Sequence, residues 1–273
     1  MLLVTKLLLA PSFVVGASLT ARRFGPRVGG LIAGLPVVAG PILLAYALAH
    51  GDAFAADAAL GTLLGLVSLA AFVVVYARLS EHTVWAWSML AGWLAFTLAT
   101  IAFSALTVPA GVALAICAAG LALGLVLTPR TEPTDERSPA APPSWDLPMR
   151  ALCALALVLA LTAIAGWLGP RLSGLLAPFP IIATVLATFT HAQHGTLEVQ
   201  RLLRWLLSGY GAFALFCFTL AITLRPLGTG AAFALATAVA LITQGAIIFV
   251  LRLRRLSAPP AATPQLARAT RAR

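Results

Sequence analysis

The chain reads as an all-α integral membrane protein of about nine transmembrane helices, built as two inverted-topology repeats with a Gly/Pro-interrupted second helix in each. Three observations lead there. The 273 residues are 61% hydrophobic and only 10% charged, with a mean hydropathy of +0.99. Soluble domains carry roughly 25% charged residues, so the solvent for so much apolar surface has to be lipid. Second, the apolar residues fall into separate runs of about 20, the length a helix needs to cross a bilayer. Third, one segment occurs twice. GPRVGGLIAGLPVVAGPILLAYALAHG at 25–51 aligns without a gap on GPRLSGLLAPFPIIATVLATFTHAQHG at 169–195, since 171 − 27 and 194 − 50 both equal 144. Pro, Arg, His and Gly in register do not coincide by chance as Leu and Ala do, so the segment marks a duplicated unit.

The predicted spans, in order, are 2–20, 29–49, 56–78, 84–106, 109–128, 149–168, 173–192, 201–224 and 230–252. The first has the look of a signal peptide, with Lys6, an apolar run and small residues near Ala21. At the offset of 144, however, Lys6 falls on Arg150, which makes 2–20 the counterpart of 149–168 and a retained span. The organisation is therefore a first membrane repeat at 1–128, a polar Pro-rich cytoplasmic linker at 129–148, a second repeat at 149–256 and a disordered basic tail at 257–273.

The net charge of +10 does not imply nucleic acid, because the arginines sit at the ends of apolar runs and in the tail. With a cytoplasmic C-terminus and nine spans, the N-terminus is outside. Cytoplasmic loops then hold Arg22, Arg23, Arg27, Arg78, Arg130, Arg137, Arg150, Arg201 and Arg204. The outer loops hold only Lys6, Arg171 and Arg225, with Asp52 and Asp57, as the positive-inside rule requires. Five spans in the first half start the second half from the opposite face, which inverts the repeat. The unmatched span is 84–106 or 109–128, and the sequence does not separate them. Cys117, Cys153 and Cys217 lie apart in apolar runs and read as small packing residues.

The second span of each unit carries the candidate substrate site. Span 29–49 contains Gly34, Pro36 and Pro41; span 173–192 contains Pro178 and Pro180, with hydroxyls on Thr184 and Thr188. Proline inside a helix frees backbone groups that hydrocarbon cannot satisfy. Helices broken at matching places in two inverted halves point to a transporter's binding site. The rival explanation is that small residues let helices pack closely and prolines only kink them. Arg27 and Arg171, each in a Gly-Pro-Arg helix start, are candidate captors of an anionic group at the two mouths. His50 and His194, each followed by Gly, read as C-cap residues, with proton handling or gating as the alternative. His191, His194 and Glu198 have metal-ligand spacing, but Gly195 should break the helix between them, so no metal site is expected.

No Asp or Glu falls in the middle of a span, which argues against coupling by a buried carboxylate. No acid pair or Ser/His dyad converges inside the membrane either, so neither an enzyme nor a cofactor is expected. The motif G-L-L-A-P-F-P at 174–180, with an apolar run ending at His194-Gly195, resembles the second span of the GlpM-like family of small bacterial inner-membrane proteins. Residues 30–51 resemble it less closely, having Gly34-Leu35 where the second copy has Pro178-Phe179. Members of that family are about half this length, so the resemblance implies a fused pair in the bacterial inner membrane and names no substrate.

The expectation is then a multi-pass permease that moves a small anionic or amphipathic solute between the two broken spans. A non-transporting assembly or partner subunit is the alternative. The partners are the lipid bilayer and the solute; a homodimer stays open, since one chain holds both repeats.

Overall fold

A computed structural model describes residues 2–24, 26–36, 39–130, 143–160 and 179–256. The side chains of 2–10, 24, 26–27 and 251–256 lie outside that description, as do Arg171 and Pro178 entirely. So do most of the expected linker and the whole expected tail.

All regular structure among the described residues is helical. The elements are α1 (Leu2–Phe24), α2 (Pro26–Ala33), α3 (Ala39–His50), α4 (Asp52–Leu79), α5 (Trp85–Ser104) and α6 (Ala110–Leu127). They are followed by α7 (146–160), α8 (Ile181–His194) and α9 (Thr196–Leu256). Four of them, α4, α5, α6 and α9, are long and apolar enough to cross a membrane.

Helix α9 is a hairpin rather than one rod. Pro226 lies inside it, and Gly228 adopts φ 74°, a conformation only glycine takes cheaply. Its arms fold back on each other, with the Phe216 and Phe233 rings 6.2 Å apart. The two predicted spans 201–224 and 230–252 therefore correspond to the two arms.

Three further joints follow from local chemistry. Pro26 opens α2, where its missing N–H is not needed. Gly51 (φ 86°) and Gly195 (φ 81°) separate α3 from α4 and α8 from α9. Their backbone N–H groups reach back to Ala47 and His191 at 3.0 and 3.1 Å, closing the last turn of each helix. Helix α7 begins at Asp146, inside the stretch expected as linker (129–148), because Asp146 is a buried anchor rather than a solvated linker residue.

The core lies along α4 and the first arm of α9, which run antiparallel. Both ends of the pair are tied. At one end Thr229 donates to Asp52 and Arg225 donates to Asp57 at 2.8 Å. At the other end Thr196 donates to the Ser80 carbonyl at 2.9 Å and Gln200 to Glu81 at 2.9 Å. Between them Tyr76, Phe72, Leu63, Leu203 and Leu207 are fully buried.

This second end gathers most of the arginines whose side chains are described. Arg78 donates to the Leu127 carbonyl at 2.7 Å, and Arg204 to those of Leu125 and Thr128 at 2.7 and 3.1 Å. These are carbonyls of the last turn of α6, which have no partner inside their own helix. The arginines thus fasten α6 as well as marking a face. This is the basic end of the molecule, and the end holding Asp52 and Asp57 is its acidic end.

Helix boundaries recur at the offset of 144. Adding 144 carries α3 onto 183–194 within α8, α4 onto 196–223 in the first arm of α9, and α5 onto 229–248 in the second arm. Helix α6 would map to 254–271, mostly beyond the described residues.

Candidate functional site

The interruption in span 29–49 lies between α2 and α3. It sits at mid-depth, beside Gly209 near the centre of α9's first arm. Gly34 and Gly209 meet backbone to backbone: a Cβ on Gly34 would come within 2.6 Å of the Gly209 Cα, so neither position has room for a side chain. Gly40, just past the break, packs on the Phe216 ring.

Breaking the helix changes where the carbonyls go. The Leu31 carbonyl receives the Gly34 N–H at 3.3 Å and the Gln244 side-chain amide at 2.9 Å. Gln244 is buried, and its own amide oxygen has no partner among the described residues. This residue was not picked out from the sequence, although a signal existed. It is the only amide side chain in the interior of any predicted span.

Pro36 sits in the bend, and its carbonyl accepts the Gly40 N–H at 2.7 Å, starting α3. Pro41 is the third residue of α3. In the first turn its missing N–H removes no intrahelical bond, so Pro41 helps to begin a helix rather than interrupt one.

In the second copy of the motif the described chain resumes at Phe179, and Pro180 precedes α8. Phe179 is clasped by Trp93 and Phe96 of α5, with ring centroids 5.4 and 5.6 Å away. This start of α8 is also at mid-depth, since Trp93 and Phe96 are central in α5. Thr184 is buried and accepts the Trp93 indole N–H at 3.0 Å, so its oxygen is committed to holding α8 on α5. Thr188 lies beside Tyr76, whose hydroxyl is 3.4 Å from His191 Nδ1.

The two candidate gating histidines sit in different surroundings. His50 is exposed at the acidic end and lies against the rings of Phe54 and Tyr46, 4.9 and 6.4 Å away. His194 is half-buried at the basic end, and its Nδ1 has no partner among the described residues. Burial and the charge of Arg150 hold its pKa below the ordinary histidine value, so it favours the neutral ring. With Gly195 between α8 and α9, His191 and His194 do not share a helix with Glu198. No group of three potential metal ligands forms among the described residues.

The strongest electrostatic feature lies beside His194. The Asp146 carboxylate, completely buried, accepts from Arg22 at the end of α1, from Arg150 one turn along α7, and from Gln193 at the end of α8. The Arg150 guanidinium also lies over the Phe189 ring of α8, 4.9 Å from its centroid. Burial works against ionisation of Asp146. The hydrogen bonds from Arg150, Gln193 and Arg22, together with the Arg150 charge, outweigh it and hold the carboxyl below its ordinary range. From the sequence Arg22 and Arg150 read only as loop charges; the Asp146–Arg150 spacing of four residues was the available signal.

The structure therefore brings Gly34 and Pro36 to a mid-depth break, and Pro180 and Thr184 to a mid-depth helix start. It separates His50 from His194. The side chains of Arg27 and Arg171, and Pro178, lie outside the described residues. No family model, curated protein or solved structure matches the chain.

Proposed function

We propose that the chain is a multi-pass carrier of the bacterial inner membrane, built from two inverted units, that moves a small anionic or amphipathic solute past the two broken spans. The observation that carries this reading is the antiparallel pairing of α4 with the first arm of α9. Those helices are related by the offset of 144, so two copies of one element lie side by side and run opposite ways. If both cross the membrane, the operation that relates them is a two-fold axis in its plane, which is the arrangement of inverted-repeat transporters.

Two further features support it. A break at 34–36 and a helix start at 180–181 lie at mid-depth in corresponding spans. The arginine-rich end suits the cytoplasmic face, which puts the N-terminus outside and the C-terminus inside. The likeness of 174–195 to the GlpM-like family is part of the same proposal. With the second arm of α9 read as the copy of α5, the polar, Pro- and Arg-rich composition of 254–271 leaves α6 unmatched, and α6 is the helix that flips the second unit.

A purely structural role has its own support in the closeness of Gly34 to Gly209 and in the Thr184–Trp93 hydrogen bond. Single cysteines at Arg27 and Arg171, in a chain lacking Cys117, Cys153 and Cys217, test the carrier reading. An impermeant thiol reagent applied to intact cells should label position 171 and spare 27. Labelling of both from one side overturns the inverted repeat. The structural alternative gains if Leu35→Cys, in the break, reacts from neither face.

A further inference from the structure

The α4–α9 scaffold is tied at both ends, and among the described residues the group formed by α1, α7 and α8 is tied by charge at the basic end. Arg22 closes α1 onto the first residue of α7, and Gln193 and Phe189 close α8 onto the same pair of charges. At the offset of 144 the positions that match Asp146, Arg150, Gln193 and Arg22 are Leu2, Lys6, Ala49 and Gly166. No carboxylate stands at the matching place, so the sequence does not repeat this cluster at the acidic end.

We propose that Arg22–Asp146–Arg150 is a one-sided latch that holds the basic face shut between α1 and α8, so that the resting carrier opens toward the acidic face. The proposal rests on the carrier reading and specifies its bias. In a machine made of two inverted units, the two end states are related by the same two-fold rotation and differ little in energy. A cluster that the sequence does not repeat in the other unit removes that balance, because opening the basic face must separate Arg22 from a buried carboxylate. Arg22 is the part made to release. Its side chain is 30% exposed, against 6% for Arg150 and none for Asp146, so water can take over the guanidinium as α1 swings away. Asp146 keeps Arg150 throughout, with Nε at 3.0 and 2.9 Å from its two oxygens, and never stands unpaired.

Ser18 gives the readout. It lies one turn before Arg22 on α1 and is buried, with no partner for its hydroxyl among the described residues. Ser18→Cys is nearly isosteric and reports entry from the basic face. In the full-length chain lacking its three native cysteines, Ser18→Cys and Leu35→Cys would be labelled with an impermeant maleimide, in cells and in inverted vesicles. Each probe would be carried with and without Arg22→Gln, a variant that leaves the Asp146–Arg150 pair whole; Asp146→Asn, which strands two guanidiniums, serves only as a second variant. Arg22→Gln should speed labelling of Ser18→Cys from the basic face about tenfold, the change that about 1.4 kcal/mol in the open–closed balance produces. It should slow labelling of Leu35→Cys from the acidic face, because the populations exchange. An unchanged rate at Ser18→Cys with Leu35→Cys still labelled overturns the latch alone. Failure of Leu35→Cys to react from either face overturns the carrier reading and the latch with it.

Discussion

The two ends of the molecule use the same residue types to opposite effect. At the acidic end Asp57 and Arg225 meet at 2.8 Å with both side chains more than half exposed. At the basic end Asp146 meets Arg150 at 2.9 Å with both essentially shut away from solvent. Exposed pairs gain little over their hydrated partners. A buried pair gains little by existing but costs much when only one partner is removed, since the other charge is then stranded. The acidic end is thus a register mark, and the basic end is a closure. Chemistry alone does not make an ion pair matter; its dielectric surroundings do.

The largest effect that separates the ends is loss of Asp146. Asp146→Ala leaves Arg22 and Arg150 without their carboxylate and should cost about 3–5 kcal/mol of folding free energy. It would be read as a lowered midpoint in denaturant titration of the detergent-purified protein, where Asp57→Ala serves as the contrast. A similar midpoint for both variants would erase the distinction between the ends. The pH dependence has a definite sign. The folded-state pKa of Asp146 lies below its ordinary 3.8, so its contribution is fully present above that value and is lost as pH falls through the lower folded-state one. Acid unfolding of the native chain should therefore set in below the ordinary carboxylate range, and Asp146→Asn should remove that dependence.

Between the ends, the middle is held by shape. Gly209→Val places methyl groups where the Gly34 backbone and the Leu31 carbonyl already stand. Overpacking of this kind costs about 1–3 kcal/mol, and should lower the thermal midpoint in detergent accordingly. Gly61, around which a Cβ meets nothing within 4 Å, is the matched control, and Gly61→Val should cost little. Equal losses at both sites would mean that close approach at Gly34 does not decide the cost.

These contrasts also show what a sequence of this kind discloses. The order of the helices was legible, because run length carries it. The break at Gly34 and Pro36 was legible because those residues cannot continue a helix without cost in hydrocarbon. Gly195 gave the joint before α9 for the same reason. Which faces of the helices meet was not legible. A helix between core and lipid is apolar all round, so no stripe marks its buried side: Phe72 is buried and Leu98 exposed, yet both are large and apolar. Gln244 reaches a carbonyl 213 residues away, and Arg22 a carboxylate 124 residues away, so neither contact leaves a local trace. Pro41 misled because its meaning depends on where a helix starts, which is the least certain boundary to read from sequence.

A smaller test concerns Thr184. Trp93→Phe keeps a ring against Phe179 and deletes only the indole N–H that Thr184 accepts. The net loss should be about 1 kcal/mol, the ordinary worth of one neutral hydrogen bond, seen as a modest fall in midpoint. If Thr184→Val in the same background costs nothing further, the hydroxyl serves only α8–α5 packing and leaves the list of substrate contacts. A further loss confined to labelling of Leu35→Cys would restore it to that list.

The smallest effect sharpens the comparison most. At the offset of 144, Asp57 matches Arg201 and Glu81 matches Arg225, so the two ends of the α4–α9 pair carry the same charges in exchanged places. The scaffold has therefore accommodated both signs at each of these positions. Asp57→Arg and Arg225→Asp, made singly, each set like charges side by side in water, and should cost well under about 1 kcal/mol. Made together they rebuild an exposed pair with the sign pattern of the opposite end, and the double-mutant cycle should return the native midpoint within a few tenths of a degree-equivalent of error. The exchange leaves the net charge of the acidic end unchanged, so it should not disturb orientation by the positive-inside rule. If the double variant is instead as impaired as either single one, position 57 needs an acid for a reason other than its partner, and the acidic end is more than a register mark.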